Sequence, residues 1–142
     1  MGGLKNFTCN EDLVFDVRAG AIENGTEIIL YEENGGDNQQ FKLTNRGDGY
    51  HSIDLGDTGF SLDIQANAIE NGSRVIIYEY HGGDNQLWKK DKQHGHGPNS
   101  YIFHSKANED MVLDVRRGSD PNELIIWECH GGENQIFKLK SC

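Results

Sequence analysis

Basic side chains are scarce in this chain. Thirteen Lys and Arg against 23 Asp and Glu leave a formal net charge of −10. Nucleic-acid affinity comes mostly from Lys and Arg neutralising phosphates, so no nucleic-acid partner is expected. Long apolar runs are missing too: none approaches the roughly 18 residues that a spanning helix needs, so no membrane insertion is expected. The N-terminus lacks the basic-then-apolar pattern of a secretory signal. The expected location is therefore the cytoplasm, or release without a classical signal peptide. Met1-Gly2 has the look of a myristoylation start, but Asn6 stands where that motif needs Ser or Thr. Cysteines number three, Cys9, Cys129 and Cys142. An odd count without CxxC spacing gives neither a disulfide framework nor a zinc site. Free thiols are the expectation, with a Cys9 to Cys142 link between the chain ends as the alternative.

What is present is repetition. Val14-Phe15-Asp16-Val17-Arg18 leads through Tyr31 to Gly35-Gly36-Asp37-Asn38-Gln39-Gln40-Phe41. Ser61-Leu62-Asp63-Ile64-Gln65 leads through Tyr78 to Gly82-Gly83-Asp84-Asn85-Gln86-Leu87-Trp88, and Val112-Leu113-Asp114-Val115-Arg116 through Trp127 to Gly131-Gly132-Glu133-Asn134-Gln135-Ile136-Phe137. The Asp positions lie 47 and 51 residues apart and the Asn positions 47 and 49. A period held over the whole chain means three copies of one structural unit, here about 1–46, 47–92 and 93–142. With 142 residues the expectation is a single domain and no separate catalytic one.

The apolar pattern is short and strand-like. Leu13 to Val17, Glu27 to Tyr31 and Gln40 to Leu43 are brief stretches separated by Gly, Asn and Asp, and the later units copy them. No segment keeps a 3.6-residue period, so helices are not expected. Asn24-Gly25 and Asn71-Gly72 precede the second strand of their units, where a left-handed or primed turn needs residues tolerant of positive φ. Each unit therefore reads as hairpins. Three all-β units too small to bury a core singly should pack around a pseudo-threefold axis, with Phe41, Trp88 and Phe137 in the shared interior.

The Gln-x-aromatic close of each unit, preceded by Asn and by an Asp-Val/Ile strand, resembles the ricin B-type (R-type) β-trefoil lectins over nearly the whole chain. The resemblance implies a twelve-stranded trefoil with shallow galactose or N-acetylgalactosamine pockets, one in each repeat. It implies that the Asp accepts from ring hydroxyls, the aromatic stacks on the sugar's C–H face, and the Asn bonds a hydroxyl. In this chain those are Asp16, Tyr31 and Asn38; Asp63, Tyr78 and Asn85; Asp114, Trp127 and Asn134, with Gln39, Gln86 and Gln135 bracing the Asp from behind. At the rim, three residues after each aromatic, stand Asn34, His81 and His130. The second and third units match a galactose-site variant with Ile76 or Ile125 two residues before the aromatic and His three after. The first departs by Asn34, and the third by losing two residues between Asp114 and Trp127 while gaining Pro121. Cys129 stands at a position often disulfide-bonded in plant members, but Val112 occupies its partner's place.

The residues support the same idea on their own chemistry. A neutral sugar needs a carboxylate to accept hydroxyl protons, an amide to donate and an aromatic plate, and each unit supplies that set. Since Phe41, Trp88 and Phe137 already fill the core, the second aromatic of each unit is the diagnostic one. Turn chemistry accounts more simply for Arg46-Gly47-Asp48, and for the sequon spellings Asn24-Gly25-Thr26 and Asn71-Gly72-Ser73. A third sequon, Asn6-Phe7-Thr8, matters only after entry to the secretory route. His94-Gly95-His96 lacks the further ligands of a zinc site. No nucleophile, base and orienter assemble at a distinctive spacing, so neither an enzyme nor a cofactor is expected. The leading expectation is a lectin for galactose- or N-acetylgalactosamine-bearing glycans, glycoproteins or glycolipids, with homodimerisation adding avidity. Two alternatives stay open: a protein-interaction trefoil, as hydrolase inhibitor or cytoskeletal binder, and a carbohydrate-binding module of a larger glycosidase.

Overall fold

The computed structural model describes residues 3–9, 12–118 and 121–142 of the chain, so the Met1-Gly2 start lies outside the described residues. Four strands arise from each repeat. The first gives β1 (Lys5–Thr8), β2 (Leu13–Val17), β3 (Ile28–Glu32) and β4 (Phe41–Gly47). The second gives β5 (Tyr50–Leu55), β6 (Phe60–Ile64), β7 (Val75–Glu79) and β8 (Trp88–Lys92). The third gives β9 (Ser100–Ser105), β10 (Asn108–Arg116), β11 (Glu123–Glu128) and β12 (Phe137–Ser141). Helical structure among the described residues is limited to five three-residue 3-10 turns, as the lack of a 3.6-residue period implies.

The outer strands of the repeats close an antiparallel ring, β1-β4-β5-β8-β9-β12 and back to β1. Closure leaves the ring without an unpaired edge. The hairpins β2–β3, β6–β7 and β10–β11 form a cap over one end. Single pairings join them into a triangle: Glu27 with Ile76, Arg74 with Ile125 and Glu123 with Ile29. This arrangement is the β-trefoil.

Every repeat sends the same positions inward. Phe41, Trp88 and Phe137 are fully buried, as are Phe7, Phe15 and Phe103. Phe15 stacks on Phe7 at 5.2 Å and meets Phe41 and Phe137 edge-on at 6.2 and 5.2 Å. A few large rings shared among three units thus make the core that 35% apolar residues would otherwise struggle to supply.

The structure departs from the sequence reading at two places. The twelve strands agree with the resemblance, but the apolar pattern by itself located only three per unit: the opening strands β1, β5 and β9 lay hidden because Asn6, Thr8, Ser52 and Ser105 break their apolar pattern while being buried themselves. The Asn-Gly pairs do not close two-residue hairpins. Gly25 and Gly72 take positive φ (98° and 90°) but their Asn neighbours do not, and each glycine N–H donates to the next repeat, Gly25 to Ile77 O and Gly72 to Ile126 O. Arg46 of the Arg-Gly-Asp triplet is already engaged, lying 3.8 Å over the Tyr80 ring and donating to Ser52. The three cysteines are free thiols.

Phe15→Ala should destabilise the fold by about 3–5 kcal/mol, since it empties the space where three rings meet. Urea unfolding followed by tryptophan fluorescence should show the midpoint falling at an unchanged slope. Leu4→Ala, at a position 37% exposed, should move stability by no more than about 0.5 kcal/mol.

Candidate functional site

Register decides what each cap hairpin turns outward, because directly paired residues share a sheet face. In β6–β7, Leu62 pairs with Ile77 and Ile64 with Val75, and these four are buried in the core. The alternate pairs, Asp63 with Ile76 and Ser61 with Tyr78, take the opposite face. The same register sets Asp16 opposite Ile29 and Val14 opposite Tyr31, and Asp114 opposite Ile125 and Val112 opposite Trp127. Tyr31, Tyr78 and Trp127 are 52%, 40% and 41% exposed, far from core values, whereas the three Asp side chains are buried.

The buried carboxylate is held by the Gln-x-aromatic close. Gln86 is fully buried and donates to Asp63 Oδ2 at 3.0 Å and to Glu79 O at 2.9 Å. Its Oε1 accepts from the N–H groups of His81 and Gly82. Gln135 repeats all four bonds with Asp114, Glu128, His130 and Gly131, and Gln39 joins Asp16, Glu32 and Asn34. The Asn two positions before the 'x' donates to the other Asp oxygen and to a strand carbonyl: Asn38 to Asp16 and Val17, Asn85 to Asp63 and Ile64, Asn134 to Asp114 and Val115. Each carboxylate oxygen accepts one protein N–H and keeps capacity for a ligand donor.

The Gly-Gly pair has two separate tasks. Gly35, Gly82 and Gly131 take φ of 73° to 79°, which costs a residue with a Cβ about 1–2 kcal/mol. Gly36, Gly83 and Gly132 instead allow close approach. A Cβ on Gly83 would lie 2.6 Å from His81 Cε1 and 2.9 Å from Asn85 Oδ1, and Gly132 stands likewise against His130 and Asn134.

His81 and His130 are oriented by this loop. Gly83 N–H donates to His81 Nδ1 and Gly132 N–H to His130 Nδ1, both at 3.0 Å, so the ring proton sits on Nε2. Nε2 then faces the carboxylate at 3.6 Å from Asp63 Oδ2 and 3.8 Å from Asp114 Oδ2. That gap is too long for a direct hydrogen bond and suits a shared hydroxyl. In the first unit Asn34 Oδ1 takes the Nδ1 role, accepting from Gly36 N–H. Isoleucine does not separate the units: Ile29 matches Ile76 and Ile125, and all three are buried.

Burial pushes the Asp16, Asp63 and Asp114 carboxyls above the usual aspartate value of 3.8, and the glutamine N–H bonds offset only part of this. Around Asp63 the surface forms a cavity of about 430 Å³, lined by Tyr78, His81, Asn85, the left-handed Ala66 and Asn67, and also Asn24 and Gly25 of the first repeat. Neighbouring repeats therefore meet at the site. Sequence reading missed this wall, although the Asn-Gly letters that mark it were in view.

A buried carboxylate acceptor beside an exposed aromatic plate thus recurs in all three repeats. The chain belongs to the ricin-type beta-trefoil lectin domain family, whose sequence model matches residues 2–137. Among solved structures it is similar to ThreeFoil, a designed 3-fold symmetric protein, at 31% identity over 99% of both chains with a TM-score of 0.88. It is also similar to an exo-beta-1,3-galactanase from Clostridium thermocellum, at 30% identity and a TM-score of 0.87, over 99% of this chain and 30% of that one. The C-half of an earthworm R-type lectin, solved in complex with GalNAc, shares the fold at 19% identity over 99% of each chain, with a TM-score of 0.68. No curated protein matches the chain.

A raised carboxyl holds its proton more tightly in the folded state than in the unfolded one. The stability this contributes is fully present below the unfolded value and lost as pH rises through the folded value. Comparing wild type with Asp63→Ala by urea unfolding between pH 3 and pH 7 should therefore show wild type gaining on the variant toward acid pH. A difference that grows toward neutral pH would contradict the burial-driven shift.

Proposed function

We propose that this chain is a non-catalytic lectin holding terminal galactose or N-acetylgalactosamine at up to three surface sites. The observation that carries the reading is the recurrence, in register, of a buried acceptor carboxylate beside an exposed aromatic. In this reading Asp16, Asp63 and Asp114 accept ring hydroxyl protons, and Tyr31, Tyr78 and Trp127 stack on the C–H face. Asn38, Asn85 and Asn134 hold the carboxylates and border the bound hydroxyls. His81 and His130 donate from Nε2 to a hydroxyl shared with the carboxylate, a donor that Asn34 does not match in the first unit. Gln39, Gln86 and Gln135, being fully buried, act through the Asp. The 30% identity to a galactanase supports a galacto-configured ligand.

A few hydrogen bonds and one stacking contact make each site weak, on the order of millimolar or about −4 kcal/mol. Avidity then comes from several sites engaging one glycan-bearing glycoprotein or glycolipid surface, and a homodimer would extend it. A second reading, a carbohydrate-binding module within a longer glycosidase, is favoured by the chain spanning only 30% of that galactanase. The length of the natural transcript separates the two.

Titrating isotope-labelled protein with galactose, N-acetylgalactosamine and glucose should give saturable amide shifts at Asn38, Asn85 and Asn134 for the two galacto-sugars only. Asp63→Ala should abolish the response at the second site and keep the others. The variant should stay folded, because Gln86 and Asn85 retain their acceptors Glu79 O and Ile64 O. Binding should weaken on acidification through the raised Asp carboxyl values, since a protonated carboxyl is a poorer acceptor. Silence with every sugar, or an unchanged second-site titration in the variant, would sink the proposal.

A further inference from the structure

The three sites are not equivalent, and the difference lies in the repeat before each one. The cap triangle fixes the correspondence. Ile77 N–H donates to Thr26 O, Ile126 N–H to Ser73 O and Leu30 N–H to Asn122 O. Thr26, Ser73 and Asn122 are therefore equivalent, and two residues earlier stand Asn24, Asn71 and Asp120, followed by Gly25, Gly72 and Pro121. The first repeat thus walls the second site, the second repeat walls the third, and the third repeat walls the first. The third repeat is two residues shorter than the others in this stretch of sequence.

At the second site the wall carries polar groups fixed in place. Asn24 Oδ1 accepts from Glu79 N–H at 2.8 Å, which pins the amide at the rim and leaves Nδ2 without a protein acceptor among the described residues. Asn24 and Gly25 line the cavity that holds Asp63 and Tyr78, and the Glu79 side chain is exposed nearby on the same strand end. The third site repeats the arrangement. Asn71 Oδ1 accepts from Glu128 N–H at 2.9 Å, and its Nδ2 reaches Glu128 Oε1 at only 3.3 Å, a long bond open to exchange with a ligand hydroxyl. The turn there abuts the stacking plate, since a Cβ on Gly72 would lie 3.9 Å from Trp127 Cζ3. The third repeat has no Asn-Gly pair in its sequence at this junction, and Pro121 has no N–H.

We propose that the second and third sites each take two sugar units. The first unit sits on the Asp and aromatic of its own repeat, and the second against the Asn-Gly turn and Glu of the junction. The first site takes one unit. This rests on the lectin reading and deepens it: the natural ligand is a galactose-type terminus together with the sugar it is attached to. A single added hydrogen bond of ordinary strength gives a preference of about three- to tenfold.

The test is a side-by-side titration of labelled protein with methyl β-galactoside and with galactosyl-β-1,3-galactose, read at each site separately. The disaccharide should bind about three- to tenfold tighter at the second and third sites and equally at the first, and only the disaccharide should shift the Asn24 side-chain amide. Asn24→Asp keeps the acceptor for Glu79 N–H and deletes the donor. It should bring the disaccharide-to-monosaccharide ratio at the second site toward one, with the unchanged third-site ratio as internal control. Equal affinity for both sugars at all three sites overturns this inference and leaves the lectin reading standing. Absence of binding by either sugar overturns the lectin reading, and this one with it.

Discussion

Each repeat hangs on one buried glutamine. Gln86 ties together three segments that are far apart in sequence or differently shaped: the inner strand through Asp63, the end of the second strand through Glu79 O, and the Gly-Gly loop through two backbone N–H groups. A side-chain amide is the group that fits, having two donors on one side and a two-lone-pair acceptor on the other. Glu in its place would set a second carboxylate against Asp63 and leave Glu79 O without its donor. Leu would leave a buried carboxylate half-satisfied, which costs more than the bond itself contributes. Because Gln39 and Gln135 repeat the arrangement, the aromatic that follows each glutamine is delivered to the core and the Asp is held buried beneath the exposed aromatic.

The same hydrogen bonds create a tension between fold and site. Burial raises the three Asp carboxyls, so keeping them ionised at neutral pH works against stability. A purely structural network would relieve this with a neutral acceptor at each Asp. All three repeats instead keep a carboxyl, beside an exposed aromatic. Threefold repetition also does not mean independence. Glu27, Arg74 and Glu123 occupy equivalent positions at the cap junctions, and Arg74 lies 3.7 Å from one Glu and 3.0 Å from the other. Three identical charges could not share that triangle without repulsion, so the sequence has had to diverge where the copies meet.

Much of the fold was legible because the repeat period, the short β-rich stretches and the second aromatic of each unit are local signals. Asp63 and Tyr78 could be placed together from sequence since a two-residue alternation puts paired positions on one face. What stayed hidden is what depends on the neighbouring unit. Asn24-Gly25 carries the letters of a hairpin turn, and nothing local shows that its N–H and its amide oxygen are used by β7 of the next repeat. Strand β1 was overlooked for a similar reason: Asn6 looks solvent-exposed in sequence, yet its amide is buried and donates to Gln39 O across 33 residues. The two glycines of each Gly-Gly pair look interchangeable in sequence, and only the distances to His81 and Asn85 show that one supplies φ and the other space.

Charge narrows the ligand further than shape alone. A carboxylate or sulfate placed about 4 Å from an ionised Asp in a surface pocket meets a repulsion of order 4 kcal/mol at an effective dielectric near 20. That equals the whole affinity of a millimolar site. His81 and His130 each use Nδ1 to accept a backbone N–H, which leaves Nε2 turned toward the carboxylate. The overall charge of −10 adds a long-range term of the same sign. An ionised Asp at the pocket therefore works against an acidic group placed directly beside it, and not against a neutral hydroxyl. The repulsion is set by the Asp that the buried glutamine holds in place.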